Sequence, residues 1–105
     1  MSQITSIAPR KLTDGIIGHY VHGENSTLGL VILEEGSSVP LHQHPQEQIT
    51  YILEGSLQMM IDGKDCLLEA GTYYVIPSNV LHSAVALTAC KLIDVFSPVR
   101  EDYRS

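Results

Sequence analysis

Short apolar segments separated by glycine and proline restrict the fold of this 105-residue chain more than any other feature. No window places apolar residues at i, i+3, i+4 and i+7 behind a capping residue, the pattern of an amphipathic helix. Runs rich in Val, Ile, Leu, Thr and Tyr predict strands instead. The predicted strands are Ile16–His22, Thr27–Leu33, Val39–His44, Gln48–Leu53, Ser56–Ile61, Cys66–Leu68, Tyr73–Ile76, Leu81–Ala86 and Lys91–Phe96. Their close, regular spacing indicates an all-β barrel or sandwich.

The length of the chain predicts one domain with one core. We expect residues 1–105 to form that domain, with the core at about residues 15–96 and a polar tail at 97–105. The pair Asp62-Gly63 predicts a tight hairpin, because a type I′ turn needs a positive φ at both central residues.

The charge balance limits the partners of the chain. Six Lys and Arg residues stand against twelve Asp and Glu residues, for a formal net charge of −6. This balance argues against nucleic acid, whose binding needs basic surface, and against anionic lipid. No apolar run approaches the roughly 20 residues of a membrane span. Two cysteines, Cys66 and Cys90, are too few for a disulfide scaffold, so a reduced, cytoplasmic location is expected.

Three histidines indicate a metal site. His42 and His44 are two residues apart on a predicted strand, so their side chains are expected on one face. His82 offers a third imidazole after a turn marked by glycine and proline. Imidazole is the commonest side-chain ligand of transition metals. The alternative is that the first two are ordinary surface histidines.

An acidic residue near the end of the chain needs an explanation. In strand register, Leu92, Asp94 and Phe96 share one face, where an acid among apolar neighbours is costly to bury. Asp94 is either a rim residue, solvated or paired with a basic side chain, or a proton-transfer carboxylate that faces the barrel interior. Arg100 follows shortly and is expected to fold back over the barrel mouth, where its guanidinium can bind a carboxylate through two parallel hydrogen bonds.

Two spaced motifs resemble the signatures of the cupin family. They are Gly36-x5-His42-x-His44-x3-Gln48-x6-Gly55 and Gly71-x5-Pro77-x-Asn79-x2-His82. The resemblance implies a double-stranded β-helix, a small jelly-roll-like barrel with its site inside. It also implies one divalent transition metal (Ni, Zn, Fe or Mn) on His42, His44, Gln48 and His82. Gln48 replaces the usual glutamate, so four neutral ligands would leave the ion its full charge. A degenerate, metal-free cupin is the alternative.

Residues 42–51 and the element Asp94-x-Phe96-x3-Arg100 resemble the KdgF cupins of pectin degradation. Members of that family ketonise the 4,5-unsaturated monouronates released by pectin and alginate lyases. The resemblance implies a small anionic sugar as substrate, Asp94 as acid/base, Arg100 as the carboxylate-binding residue and Phe96 packed on the sugar face. Two alternatives remain: a non-catalytic metal-binding cupin that binds a small sugar or acid, and another cupin enzyme such as a metal dioxygenase.

The segment 28–33 is apolar on both strand faces. One face must therefore meet something other than the barrel interior, either a second sheet or a second copy of the chain. Cupins commonly pair through their N-terminal strands, so the resemblance implies a homodimer.

Overall fold

The computed structural model describes residues 2–104, so residues 1 and 105 of the predicted domain and tail lie outside the described residues. Within this range ten strands and two short 3-10 helices follow one another. The strands are β1 (Arg10–Thr13), β2 (Ile16–His22), β3 (Thr27–Leu33), β4 (Ser38–His42), β5 (Glu47–Glu54), β6 (Ser56–Ile61), β7 (Lys64–Glu69), β8 (Tyr73–Ile76), β9 (His82–Ala86) and β10 (Cys90–Ser97). The 3-10 helices are Ile4–Ser6 and Glu101–Tyr103.

The strands of residues 2–104 form two antiparallel sheets, which confirms the all-β prediction. One sheet has the order β1-β2-β3-β10-β5-β8 and the other the order β4-β9-β6-β7. Alternating side chains from both sheets point inward and remove apolar surface from water. The core consists of Ile16, Tyr20, Val31, Leu33, Ile52, Leu57, Met59, Ile61, Leu68, Ile76, Ala84, Ala86, Cys90, Leu92 and Phe96.

The hairpin between β6 and β7 forms at the predicted turn. Asp62 has φ 52° and Gly63 has φ 75°. These positive values are those of a type I′ turn, whose twist matches that of the flanking strands. The turn fixes the register in which Ile61 pairs with Lys64 and Leu57 with Leu68, so that Leu57 and Leu68 are both buried in the core.

The predicted strand Val39–His44 is wrong at its end, because β4 stops at His42. Pro40 lacks the N–H that would continue the ladder, and the register with β9 shifts between Val39 and His42. His44 precedes Pro45 and lies in the following loop, where its carbonyl oxygen accepts a hydrogen bond of 2.8 Å from the backbone N–H of Asn79. His42 and His44 therefore do not share a strand.

The structure also differs from the prediction at both ends of the expected core. The strand β1 precedes residue 15 and pairs with β2. The expected polar tail contains Arg100, which is only 7% exposed. The backbone N–H of Arg100 donates to Oγ1 of Thr27 over 2.9 Å, which holds this segment against the barrel. The described part of the chain has no helix long and apolar enough to cross a membrane.

Candidate metal centre and adjoining cavity

Three histidine side chains converge at one end of the barrel. His42 ends β4, His82 begins β9, and these two residues are direct partners in the register of the sheet. His44 joins them from the loop after β4. The nitrogen atoms that each residue can offer to a metal all lie within 4.8 Å of one another. The strand register and the loop thus bring together the three histidines of the prediction.

Backbone carbonyls fix which nitrogen of each imidazole is available. The Nδ1 atoms lie 2.9 Å from the oxygen of Pro40 for His42, 3.0 Å from that of Gln46 for His44, and 2.8 Å from that of Val80 for His82. A carbonyl oxygen only accepts, so each Nδ1 carries a proton and donates it. Each Nε2 is then left with a lone pair, the form in which imidazole binds metals.

The surroundings of the histidine cluster favour binding of a metal ion over protonation of the rings. Nε2 of His82 is buried and has no hydrogen-bond partner among the described residues. Burial lowers the pKa of His82 to about 4, and it also lowers the pKa of His44. Neutral rings with converging lone pairs favour nitrogen-ligated transition metals. His42, His44 and His82 would hold such an ion.

Gln48 links the histidines to Asp94. Its Nε2 atom donates to Oδ1 of Asp94 over 3.1 Å and to Oγ1 of Thr50 over 2.9 Å. A carboxylate only accepts, so the amide nitrogen must face Asp94. This orientation turns Oε1 toward the cluster, where it lies 3.0 Å from Nε2 of His44. Gln48 therefore turns its amide oxygen toward the histidines and its amide nitrogen toward the acid.

Asp94 faces the barrel interior from the middle of β10. It lines a cavity of about 80 Å³ together with Gln48, Thr50, His82, Phe96 and Arg100. Burial raises the pKa of Asp94 to about 6, while hydrogen bonds from Thr50 and Gln48 and the charge of Arg100 act in the opposite direction. A carboxyl group with a pKa in this range can both release and accept a proton near neutral pH.

Arg100 reaches the cavity between two aromatic rings. Its guanidinium carbon lies 4.8 Å from the ring centroid of Phe96 and 4.0 Å from that of Tyr103. Nε and Nη2 donate to the two carboxylate oxygens of Asp102 over 3.0 and 2.9 Å. The sequence predicts a two-bond fork between Arg100 and the carboxylate of a ligand, but in the structure Asp102 takes the Nε–Nη2 edge of the guanidinium. Arg100 also lines the cavity.

Sequence reasoning overlooked Thr50 and Tyr20. Thr50 contacts Asp94 from the neighbouring strand, and Tyr20 lines the same cavity. Thr50 lies two residues after Gln48 on β5, so the strand period places both on one face, a signal that could have found it. Tyr20 has no such signal, since its position depends on the pairing of β2 with β3.

The chain belongs to the cupin family, since residues 29–96 match the Cupin domain model. That range contains the three histidines, Gln48, Asp94 and Phe96. The chain is also similar to a solved RmlC-like cupin from Shewanella frigidimarina, with a TM-score of 0.91 and 28% identity over 98% of this chain and 94% of that one.

Two proteins named KdgF are among the relatives. The pectin degradation protein KdgF of Dickeya dadantii is 38% identical over a 64-residue alignment that covers 59% of this chain. The match spans 58% of that relative's length, less than two thirds of it. The solved structure of KdgF from Halomonas sp. has a TM-score of 0.86 and 29% identity, covering 93% of this chain and 92% of that one.

Proposed function

We propose that this protein is a metal-dependent enzyme that ketonises 4,5-unsaturated monouronates from pectin or alginate breakdown. The observation that carries the proposal is the double role of Gln48, whose Oε1 faces the histidine cluster while its Nε2 holds Asp94. One side chain thus couples a metal-ligand set to an acid of suitable pKa. The resemblance to the two proteins named KdgF supports a uronate substrate.

The reaction is an isomerisation that needs proton transfer and no oxidant. The C1 hydroxyl of the substrate loses its proton, the C1–O5 bond breaks to give an aldehyde, and C4 gains a proton as C5 becomes a ketone. A divalent metal, when bound, stabilises negative charge that develops on oxygen. The metal is one of Ni, Zn, Fe or Mn, and its ligands are His42, His44, Gln48 and His82.

The remaining residues bind the substrate and move its protons. Asp94 takes or gives a proton at the reacting atoms, a role that supplies roughly 10²–10⁴-fold in rate. Arg100, which lines the cavity, pairs with the substrate carboxylate. Phe96, edge-on to His44 at 5.6 Å between ring centroids, packs against the apolar face of the sugar.

Purified protein loaded with each candidate metal tests this function. Unsaturated galacturonate and its alginate counterpart are supplied, and the ultraviolet absorbance of the C4=C5 bond is followed. We expect the absorbance to fall with wild-type protein and to persist with Asp94→Asn, whose metal content should match the wild type. Metal-loaded protein that leaves both sugars unchanged would contradict the proposal. Oxygen uptake during turnover would favour a dioxygenase instead.

A further inference from the structure

Asp94 lies in a row of residues that face one another across three strands. The register pairs it with Gly29 on β3 and with Thr50 on β5. Gly29 offers no side chain, so Thr50 is the direct cross-strand neighbour that can contact the carboxylate. Its hydroxyl does so, and Thr50 Oγ1 donates to Oδ1 of Asp94 over 2.7 Å.

Among the described residues, the hydroxyl proton of Thr50 has no acceptor other than Asp94. Thr50 is 1% exposed, so water does not compete for its proton. Its acceptor side is occupied by Nε2 of Gln48 at 2.9 Å. A hydroxyl has a single proton to donate, and here that proton must point at Asp94. Hydrogen bonds to an ionised acceptor are also short and strong, in keeping with this distance.

The donors fix one carboxylate oxygen and spare the other. Among residues 2–104, the hydrogen bonds to the Asp94 side chain come from Thr50 and Gln48 and reach Oδ1. Oδ2 accepts none of these hydrogen bonds, yet it is not enclosed by protein as a buried atom without a partner would be. Because Asp94 lines the cavity, Oδ2 is the oxygen that the cavity reaches.

We infer that Thr50 is a positioning residue that holds Oδ1 of Asp94 so that Oδ2 faces the substrate. This inference rests on the proposed function for its effect on turnover, but not for the geometry itself. A carboxylate held on one side only by Gln48 would rotate about its Cβ–Cγ bond. Thr50 and Gln48 both donate to Oδ1, so loss of the Thr50 hydroxyl would leave a single hydrogen bond to hold the carboxylate.

Two substitutions at position 50 separate the hydroxyl from the volume of the side chain. Thr50→Val keeps the shape and removes the donor, while Thr50→Ser keeps the donor and removes a methyl group. We expect Thr50→Val to lower kcat by about 10- to 100-fold, the usual effect of a misplaced catalytic group, with little change in KM and in metal content. Thr50→Ser should keep most of the wild-type kcat. Thr13→Val, a half-buried threonine on β1, is the matched control.

Infrared spectroscopy tests the geometry without any substrate. In protein labelled with 13C-aspartate, subtraction of the Asp94→Asn spectrum isolates the carboxylate band of Asp94. We expect that band to shift in Thr50→Val and to stay in place in Thr50→Ser and Thr13→Val. If Thr50→Val does not fold, Thr50→Ser decides. A positioning role predicts that Thr50→Ser keeps the band and most of the wild-type kcat, whereas a purely structural role predicts that its kcat falls together with its stability.

The outcomes distinguish the two proposals. A wild-type kcat or an unshifted band in folded Thr50→Val would overturn the role of Thr50, as would equal losses in Thr50→Ser and Thr50→Val. Wild-type protein that is inert toward both uronates would overturn the proposed function, while the infrared comparison would still decide whether Thr50 holds Asp94.

Discussion

Nε2 of His44 lies 3.0 Å from Oε1 of Gln48, although both atoms bear lone pairs when Nδ1 of His44 donates to Gln46. Two acceptors this close repel unless a cation lies between them, and the lowered pKa of His44 disfavours a second ring proton. A metal ion that binds both atoms would resolve the conflict, with Oε1 as one of its ligands.

Metal binding should therefore stabilise the folded protein. At a free metal concentration 100 times Kd, the free energy of unfolding should rise by about 2.7 kcal/mol, and chelation should reverse the gain. Calorimetric unfolding with and without chelator, together with elemental analysis, measures this. His82→Asn should lose the metal and the stabilisation, whereas His22→Asn, outside the cluster, should keep both. Wild-type protein with the same Tm before and after chelation would contradict the prediction.

Gln48→Glu should retain metal and lose turnover. Glutamate is an adequate ligand, but it cannot donate to Asp94, so two carboxylates would meet where an amide nitrogen now lies 3.1 Å from Oδ1. We expect kcat to fall by at least roughly tenfold, equivalent to about 1.4 kcal/mol in the barrier. Steady-state kinetics with parallel metal analysis checks this. A variant as fast as wild type would show that the hydrogen bond from Gln48 is dispensable.

Arg100→Lys should weaken substrate binding more than it slows the chemistry. Lysine keeps the charge but loses the planar group that stacks on Tyr103 and pairs with Asp102. Loss of a charged hydrogen bond, worth about 1.5–3 kcal/mol, predicts a KM raised by about 10- to 100-fold. Arg104→Lys is the control, because its exposed pair with Glu101 should contribute little. An unchanged KM in Arg100→Lys would remove Arg100 from the binding site.

The sequence predicted most strands well, because runs rich in Val, Ile, Leu, Thr and Tyr are bounded by turn residues such as Asp62-Gly63. The sequence also predicted that the histidines converge, but partly for a wrong reason. It placed His42 and His44 on one strand, whereas Pro40 and Pro45 end that strand before His44. The contact between Thr50 and Asp94 spans 44 residues of sequence, and only the register of β5 with β10 reveals it. The return of Arg100 to the barrel was predicted, and its backbone hydrogen bond to Thr27 on β3 accounts for it, but the pairing of its guanidinium with Asp102 was not predicted.

Gly29 should be needed for stability, because the ring of Tyr20 occupies the space that a larger residue would fill. A Cβ at position 29 would lie 2.4 Å from Cε1 of Tyr20, whose ring occupies the place of a side chain there. Gly29→Ala should lower the free energy of unfolding by about 1–3 kcal/mol, the cost of overpacking a core. Denaturant titration measures it, with Gly23→Ala as control because its nearest atom lies at 3.5 Å. In a Tyr20→Leu background, Gly29→Ala should cost less unfolding free energy, because the ring that meets the new methyl group is gone. An equal cost in both backgrounds would show that Tyr20 is not the cause.

The apolar outer face of the six-stranded sheet leads us to expect that the protein self-associates. A row of apolar side chains crosses five neighbouring strands on that face, namely Val21, Leu28, Val95, Ile49 and Val75. Four of them are 38–44% exposed, and a continuous apolar surface of this kind is typical of an interface. We propose that two copies of the chain pair through this face and expect a dimer in sedimentation velocity. Ile49→Lys should yield monomers, whereas Leu67→Lys, on the other sheet, should not. Wild-type protein that sediments as a monomer at micromolar concentration would refute the pairing.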